Sequence, residues 1–288
     1  RSSVGAGRSG SKAPVTELVL LRLLVLVSVA VAPLSRRLLG PPPRGWSVAH
    51  ALGIGLVAAA LFVPLPELAY GWLAFCVGGA LMFAVEHGAA LRTASRRTAT
   101  TFAAGVPLAF GVIAATWIAG ATNDLRILGY GPHFSFYAAL HGNVLGWTLL
   151  GGVAALAQRA GRFQRVHLAT VFLGFASFLL VALGIDRLAW LKPLGVLGLT
   201  LALPLSMLAF LIDARGNRAA FALGALAFGA LVLTLALAWL NELGSLSVEP
   251  LGGIRAMVWL HGLVNGLVVG PAWLGAVATS GLATRPPE

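Results

Sequence analysis

Two histidine phrases are the residues in this chain whose types and spacing could do chemistry. Leu140 to Gly146 reads LHGNVLG, and Leu260 to Gly266, 120 residues later, reads LHGLVNG, with five of seven letters in register. Only six histidines occur in 288 residues, so a histidine phrase used twice carries information. An imidazole serves as acid, base, hydrogen-bond partner or metal ligand near neutral pH. Asn265 follows His261 by four residues, about one helical turn, and shares its face; Tyr137 precedes His141 by the same spacing. Asn143, two residues from His141, points to the opposite side. His141, His261, Asn265 and Tyr137 are therefore the candidate ligand-binding residues.

What is absent narrows that chemistry. The nine carboxylates, Glu17 and Glu86 among them, all fall near the ends of apolar spans, in loops or in the tail, whereas cation pumps and proton-coupled carriers use a buried acid. Two histidines fall short of the three protein ligands of a zinc hydrolase. The nucleophile, phosphate-loop and zincin motifs G-x-S-x-G, G-x-x-x-x-G-K and H-E-x-x-H are missing. Glu86 beside His87 is the one acid-base neighbour pair, and next to a basic loop it reads as an interfacial pair. Two alternatives stay open: axial ligation of a haem, or a copper site completed by Tyr or Asn. The expectation is no metal and no cofactor, with neither stoichiometric zinc nor haem absorbance in the purified protein. The plainest alternative is that each imidazole only bonds a neighbouring helix.

Glycines accompany both histidines. Gly142 with Gly146, and Gly262 with Gly266, form G-x-x-x-G pairs, which let a second backbone approach closely and read as helix-packing positions.

The elements that must position these residues are membrane helices. With 58% apolar and 10% charged residues and a mean hydropathy of +0.89, the composition lies far outside that of soluble domains. The net charge of +11 does not point to nucleic acid, because the basic residues cluster between long apolar runs. Cys76 sits alone inside such a run and reads as packing. About twenty apolar residues cross a bilayer. On that measure the spans are Val15 to Leu34, Trp46 to Val63, Leu68 to Glu86, Thr100 to Ala119, His133 to Ala157, Val166 to Leu183, Pro193 to Ile212, Ala219 to Leu240 and Gly253 to Val277. The expectation is an all-α polytopic bundle of about nine helices over 15–277, with a basic tail at 1–14 and a carboxyl-terminal tail at 278–288.

Charge sets the orientation. Eleven arginines, including Arg36, Arg96, Arg162 and Arg215, lie in the loops after spans 1, 3, 5 and 7, which places those loops in the cytoplasm. Three basic residues, Arg126, Arg187 and Lys192, occupy the other loops. The basic tail opposes this arrangement, since nine spans put it outside. Trp72, Trp117, Trp190 and Trp239 fall at the outer ends as an aromatic belt. Spans 5 and 9 then run in the same direction, with His141 and His261 each eight residues past their starts, about 12 Å deep. His133 lies at an outer end, and His50, His87 and His167 lie near inner ends.

Spans 2 to 5 and 6 to 9 start at offsets of 119 to 125 residues, which fits a parallel duplication of a four-helix unit, 46–157 and 166–277. The alternative is chance recurrence in a composition rich in Leu, Gly and Val.

The same stretches resemble the YndJ-like bacterial membrane proteins. GYGPHFSFYAALHGNVLGW, Gly129 to Trp147, is similar to the family's GF-x-P and HFHYAGF stretch, placing His141 on its first histidine and Gly146 on its glycine. MVWLHGLVNGLVVG, Met257 to Gly270, is similar to its HG-x-x-N-A-L-G-F, placing His261 and Asn265 on the HG-x-x-N. Asn143 stands where the family has a second histidine, Val144 where it has Tyr, and Gly266 and Val268 where it has Ala and Gly. If the family's histidine pair held a metal, this chain would lack one of its ligands. The resemblance runs from about Trp46 to the end and implies no particular activity.

Residues and resemblance together lead to a multi-pass protein of the bacterial cytoplasmic membrane, with the lipid bilayer as partner and no nucleic acid. It is expected to bind or move a small neutral or lipid-like ligand at His141, His261, Asn265 and Tyr137. The alternatives are a membrane enzyme acting on a lipid or isoprenoid with a histidine as acid or base, and a structural accessory subunit.

Overall fold

Long apolar runs separated by short, glycine- and proline-rich connections leave the backbone one way to satisfy its polar groups in lipid, the helix. The computed structural model describes residues 15–92, 96–159, 161–245 and 254–281. Among them are nine apolar helices, and no strand runs through any of them: α1 (Thr16–Leu38), α2 (Trp46–Phe62), α3 (Ala69–Leu91), α4 (Arg96–Thr122), α5 (Pro132–Ala157), α6 (Gln164–Asp186), α7 (Leu191–Asp213), α8 (Arg218–Glu242) and α9 (Met257–Thr279). Eight are long and apolar enough to cross a membrane. The second has 17 residues, about 25 Å, somewhat less than a hydrocarbon core of about 30 Å. The chain is a multi-pass integral membrane protein. The tail at 1–14, residues 282–288 and Gly253, the expected start of the last span, lie outside the described residues.

Polar contacts at the helix ends sort the helices into an alternating bundle. At one end Glu17 of α1, His133 of α5 and Arg255, just before α9, meet. There too Asn123, after α4, donates to the carbonyl of Pro66, before α3, and Lys192 of α7 pairs with Glu242 of α8. At the other end Arg36 of α1 reaches Glu86 of α3 at 3.8 Å, and Asn217, before α8, donates to the carbonyl of Thr279 in α9. Helices α1, α5 and α9 therefore run parallel.

Helix α5 is the innermost element, with every residue of 149–157 buried. Two apolar cores flank it. The first is built on Leu21, Leu24, Trp72, Phe136 and Trp147, and the second on Leu150, Met207, Phe210 and Trp273. Large side chains along α7 and α8, such as Leu194, Leu201, Leu205 and Leu233, point outward, as a lipid-facing surface requires. Trp72 departs from the expected aromatic belt: it is fully buried, because Gly53 of α2 has no side chain to keep its ring away. Cys76 is a free, buried thiol.

Widened, π-helical turns begin directly after His141 and enclose His261. In α5 these span Gly142–Leu149, and in α9 Met257–Leu263 and Asn265–Val269. A π-turn carries an extra residue and loosens the ordinary carbonyl ladder, which is why such turns gather at functional sites. Thr148 takes up one such carbonyl, donating to that of Asn143 five residues back at 2.9 Å.

Candidate functional site

The imidazoles of His141 and His261 come together between α5 and α9. Their ring centroids lie 6.0 Å apart, with planes inclined by 26°. Each ring is held by one nitrogen. Nδ1 of His141 is 2.8 Å from the carbonyl oxygen of Tyr137 in its own helix, and Nδ1 of His261 is 3.0 Å from that of Thr234 in α8. A carbonyl only accepts, so both Nδ1 atoms carry the proton, and each neutral ring keeps a bare acceptor at Nε2. Charging both rings would set like charges side by side, at a cost of about 3 kcal/mol for an effective dielectric of about 20. His141 is exposed while Leu140, Gly142, Asn143 and Val144 on either side are buried, and His261 is half-buried.

Asn265 joins the pair through a residue the sequence reading passed over. Thr234, fully buried in α8, donates its hydroxyl to Oδ1 of Asn265 at 3.0 Å and to the carbonyl of Leu231. Its own carbonyl holds His261, so one residue orients two candidates. The signal available in sequence was a lone hydroxyl in the apolar run LVLTLAL of span 8.

Tyr137 touches the pair only with its backbone. Its hydroxyl, 2.9 Å from Oε1 of Glu17, belongs to a second polar cluster one turn outward. There the carboxylate of Glu17, 1% exposed, accepts from Nε and Nη2 of Arg255 at 3.0 and 2.8 Å and from the backbone N–H of Arg255 at 2.9 Å. His133 Nε2 lies 2.8 Å from the same carboxylate, and Nη2 of Arg255 also contacts His133 and the Tyr137 hydroxyl. Burial opposes the Arg255 charge, but the bonds from Glu17 outweigh it and hold the guanidinium above its ordinary pKa. Sequence reasoning placed Glu17 and His133 correctly at span ends but left them out of any site. The available signal was that spans 1, 5 and 9 are parallel, so residues at their starts are level.

The glycines divide. A Cβ on Gly146 would sit 2.0 Å from the Phe110 ring, and one on Gly142 would be 3.0 Å from Ala114, so these two form the tight seam between α5 and α4. On Gly262 and Gly266 the nearest atoms, from Leu24, lie at 3.6 Å, which is ordinary contact; α9 passes α1 with room for a methyl group. Asn143 is fully buried away from the histidines, donating to Ser28 of α1 at 3.0 Å, with its Oδ1 unpaired. His50, His87 and His167 bond Val29, Phe83 and Ser206, each apart from the pair. Among the described residues no group of three or more His, Cys, Asp or Glu is arranged to hold a metal.

No curated protein and no solved structure matches the chain. A family model matches residues 17–269, from the buried carboxylate at the head of α1 through the last π-turn of α9, and thus takes in both polar clusters. The model is that of the YndJ-like protein family, and the chain belongs to that family.

Proposed function

We propose that this protein, in the bacterial cytoplasmic membrane, binds or moves a small neutral or lipid-like molecule that donates hydrogen bonds to His141 and His261. The reading rests on one observation: two imidazoles 6.0 Å apart, each with Nδ1 committed to a carbonyl, present two Nε2 acceptors in the membrane interior. A polar atom at such depth is costly when unpaired, so a donor supplied by a ligand is the natural complement. A hydroxyl on an apolar body meets this chemistry, and Asn265, fixed by Thr234, is a further polar group for it. The same exposed ring of His141 supports a second reading, a general base acting on a lipid or isoprenoid. The two differ in whether the bound molecule leaves unchanged.

The test uses a hexadecanol carrying a diazirine, photolysed with the protein in membranes, with adducts located by peptide mass spectrometry. Adducts on 137–145 and 257–267 are expected in the wild type, with loss in His141→Phe and His261→Phe, which keep a ring and remove the acceptor. Equal labelling of all three proteins would contradict the proposal.

A further inference from the structure

The Glu17 cluster opens outward into a depression of about 360 Å³ lined by Gly131, Pro132, His133, Phe134, Tyr137 and Arg255. That volume lies in the range of small-molecule sites, about 300–1,000 Å³. Its walls combine one cation with a proline and aromatic rings. Arg255 lies over the Tyr137 ring at 5.2 Å and is 56% exposed, whereas its counter-ion Glu17 is sealed behind it at 1%. The arginine spends Nε and Nη2 on Glu17, His133 and Tyr137, and among the described residues Nη1 has no partner. Among the described residues that line it, a ligand entering the depression therefore meets the N–H donors of a guanidinium beside apolar wall and no carboxylate.

We infer that this depression is a second binding site, for an anionic amphiphile: a carboxylate or phosphate head that pairs with Nη1 of Arg255, on an apolar body that lies against Pro132 and Phe134. Charge-assisted bonds to arginine are among the strongest available to such a head. His133 stands at the same wall and adds a donor whenever it is protonated. The site stands on its own geometry and does not depend on the histidine pair deeper in the bundle. The head belongs either to a free organic acid or to a phospholipid of the adjoining leaflet.

Gly131 supplies the test, because its Cβ direction is open and its φ of −80° suits any residue. Gly131→Asp and Gly131→Lys add comparable bulk and opposite charge at the rim while leaving Arg255 and Glu17 intact. Binding of 11-(dansylamino)undecanoic acid is followed by fluorescence on the full chain in phosphatidylcholine nanodiscs. Saturable binding is expected in the wild type, weakened about tenfold by Gly131→Asp and strengthened by Gly131→Lys, with unchanged melting temperatures. Competition by phosphatidylglycerol placed in the discs assigns the site to a lipid head, and indifference to it assigns the site to the free acid. Absence of saturable binding in the wild type, or equal effects of the two substitutions, would overturn the inference.

Discussion

Glu17 and Arg255 differ in a way that makes their substitutions unequal. Breaking a buried ion pair costs about 3–5 kcal/mol because one charge is stranded without a partner. Here Glu17 is sealed and Arg255 is more than half exposed. Removing the carboxylate strands a guanidinium that still reaches water and keeps Tyr137 and His133 beside it. Removing the guanidinium leaves a sealed carboxylate without its cation, with only the Tyr137 hydroxyl and His133 beside it. Arg255→Gln is therefore expected to lower the thermal unfolding temperature in detergent more than Glu17→Gln, and the double substitution to recover part of the Arg255→Gln loss. Equal losses, or a larger loss for Glu17→Gln, would show that the cluster is not held together by burial of Glu17. The partners are separated by 238 residues and each sits at a span end, so the parallel direction of spans 1 and 9 was the one trace of this pairing in the chain. The histidine phrases were legible because they repeat; Thr234 was not, because a threonine in a membrane helix ordinarily bonds back to its own turn.

At the scale of elements, identical motifs meet different neighbours. G-x-x-x-G in α5 presses on Phe110 and Ala114, and in α9 it meets nothing nearer than Leu24 at 3.6 Å. A small-residue pair states that close approach is allowed; what lies opposite decides whether it happens. Gly146→Ala drives a methyl group into the Phe110 ring and is expected to destabilise by about 1–3 kcal/mol or more, as overpacking does. Gly266→Ala finds space and removes a helix-weakening glycine, worth up to about 1 kcal/mol, so it is expected to be neutral or stabilising. Thermal unfolding of the two proteins checks the contrast, and equal destabilisation would remove it. The π-turns were equally hidden, because their hydrogen-bond pattern has no composition of its own; glycine beside histidine was their only trace. The shortness of α2 was legible, since the expected span, Trp46 to Val63, differs from the helix only in that Val63 caps it.

For the molecule as a whole, hydropathy and loop charge were enough to give the helices and their alternation, since length and apolarity are what a bilayer selects. Ala114 and Thr234, which face Gly142 and His261, are themselves 120 residues apart, the spacing of the two phrases. The bundle brings one histidine from each phrase together, with the Glu17 cluster at the same end of the helices as the starts of α1 and α5. The central claim is that these two rings are neutral, carry their protons on Nδ1 and offer Nε2 to a ligand. Nitrogen-15 NMR of the histidine-labelled protein in nanodiscs, assigned with His141→Phe and His261→Phe, reads each ring nitrogen directly. The account predicts an N–H at Nδ1 and a bare Nε2 in both rings, with both Nε2 resonances moving toward hydrogen-bonded values as decanol is added. A proton on either Nε2, a charged ring, or resonances indifferent to the alcohol would contradict it.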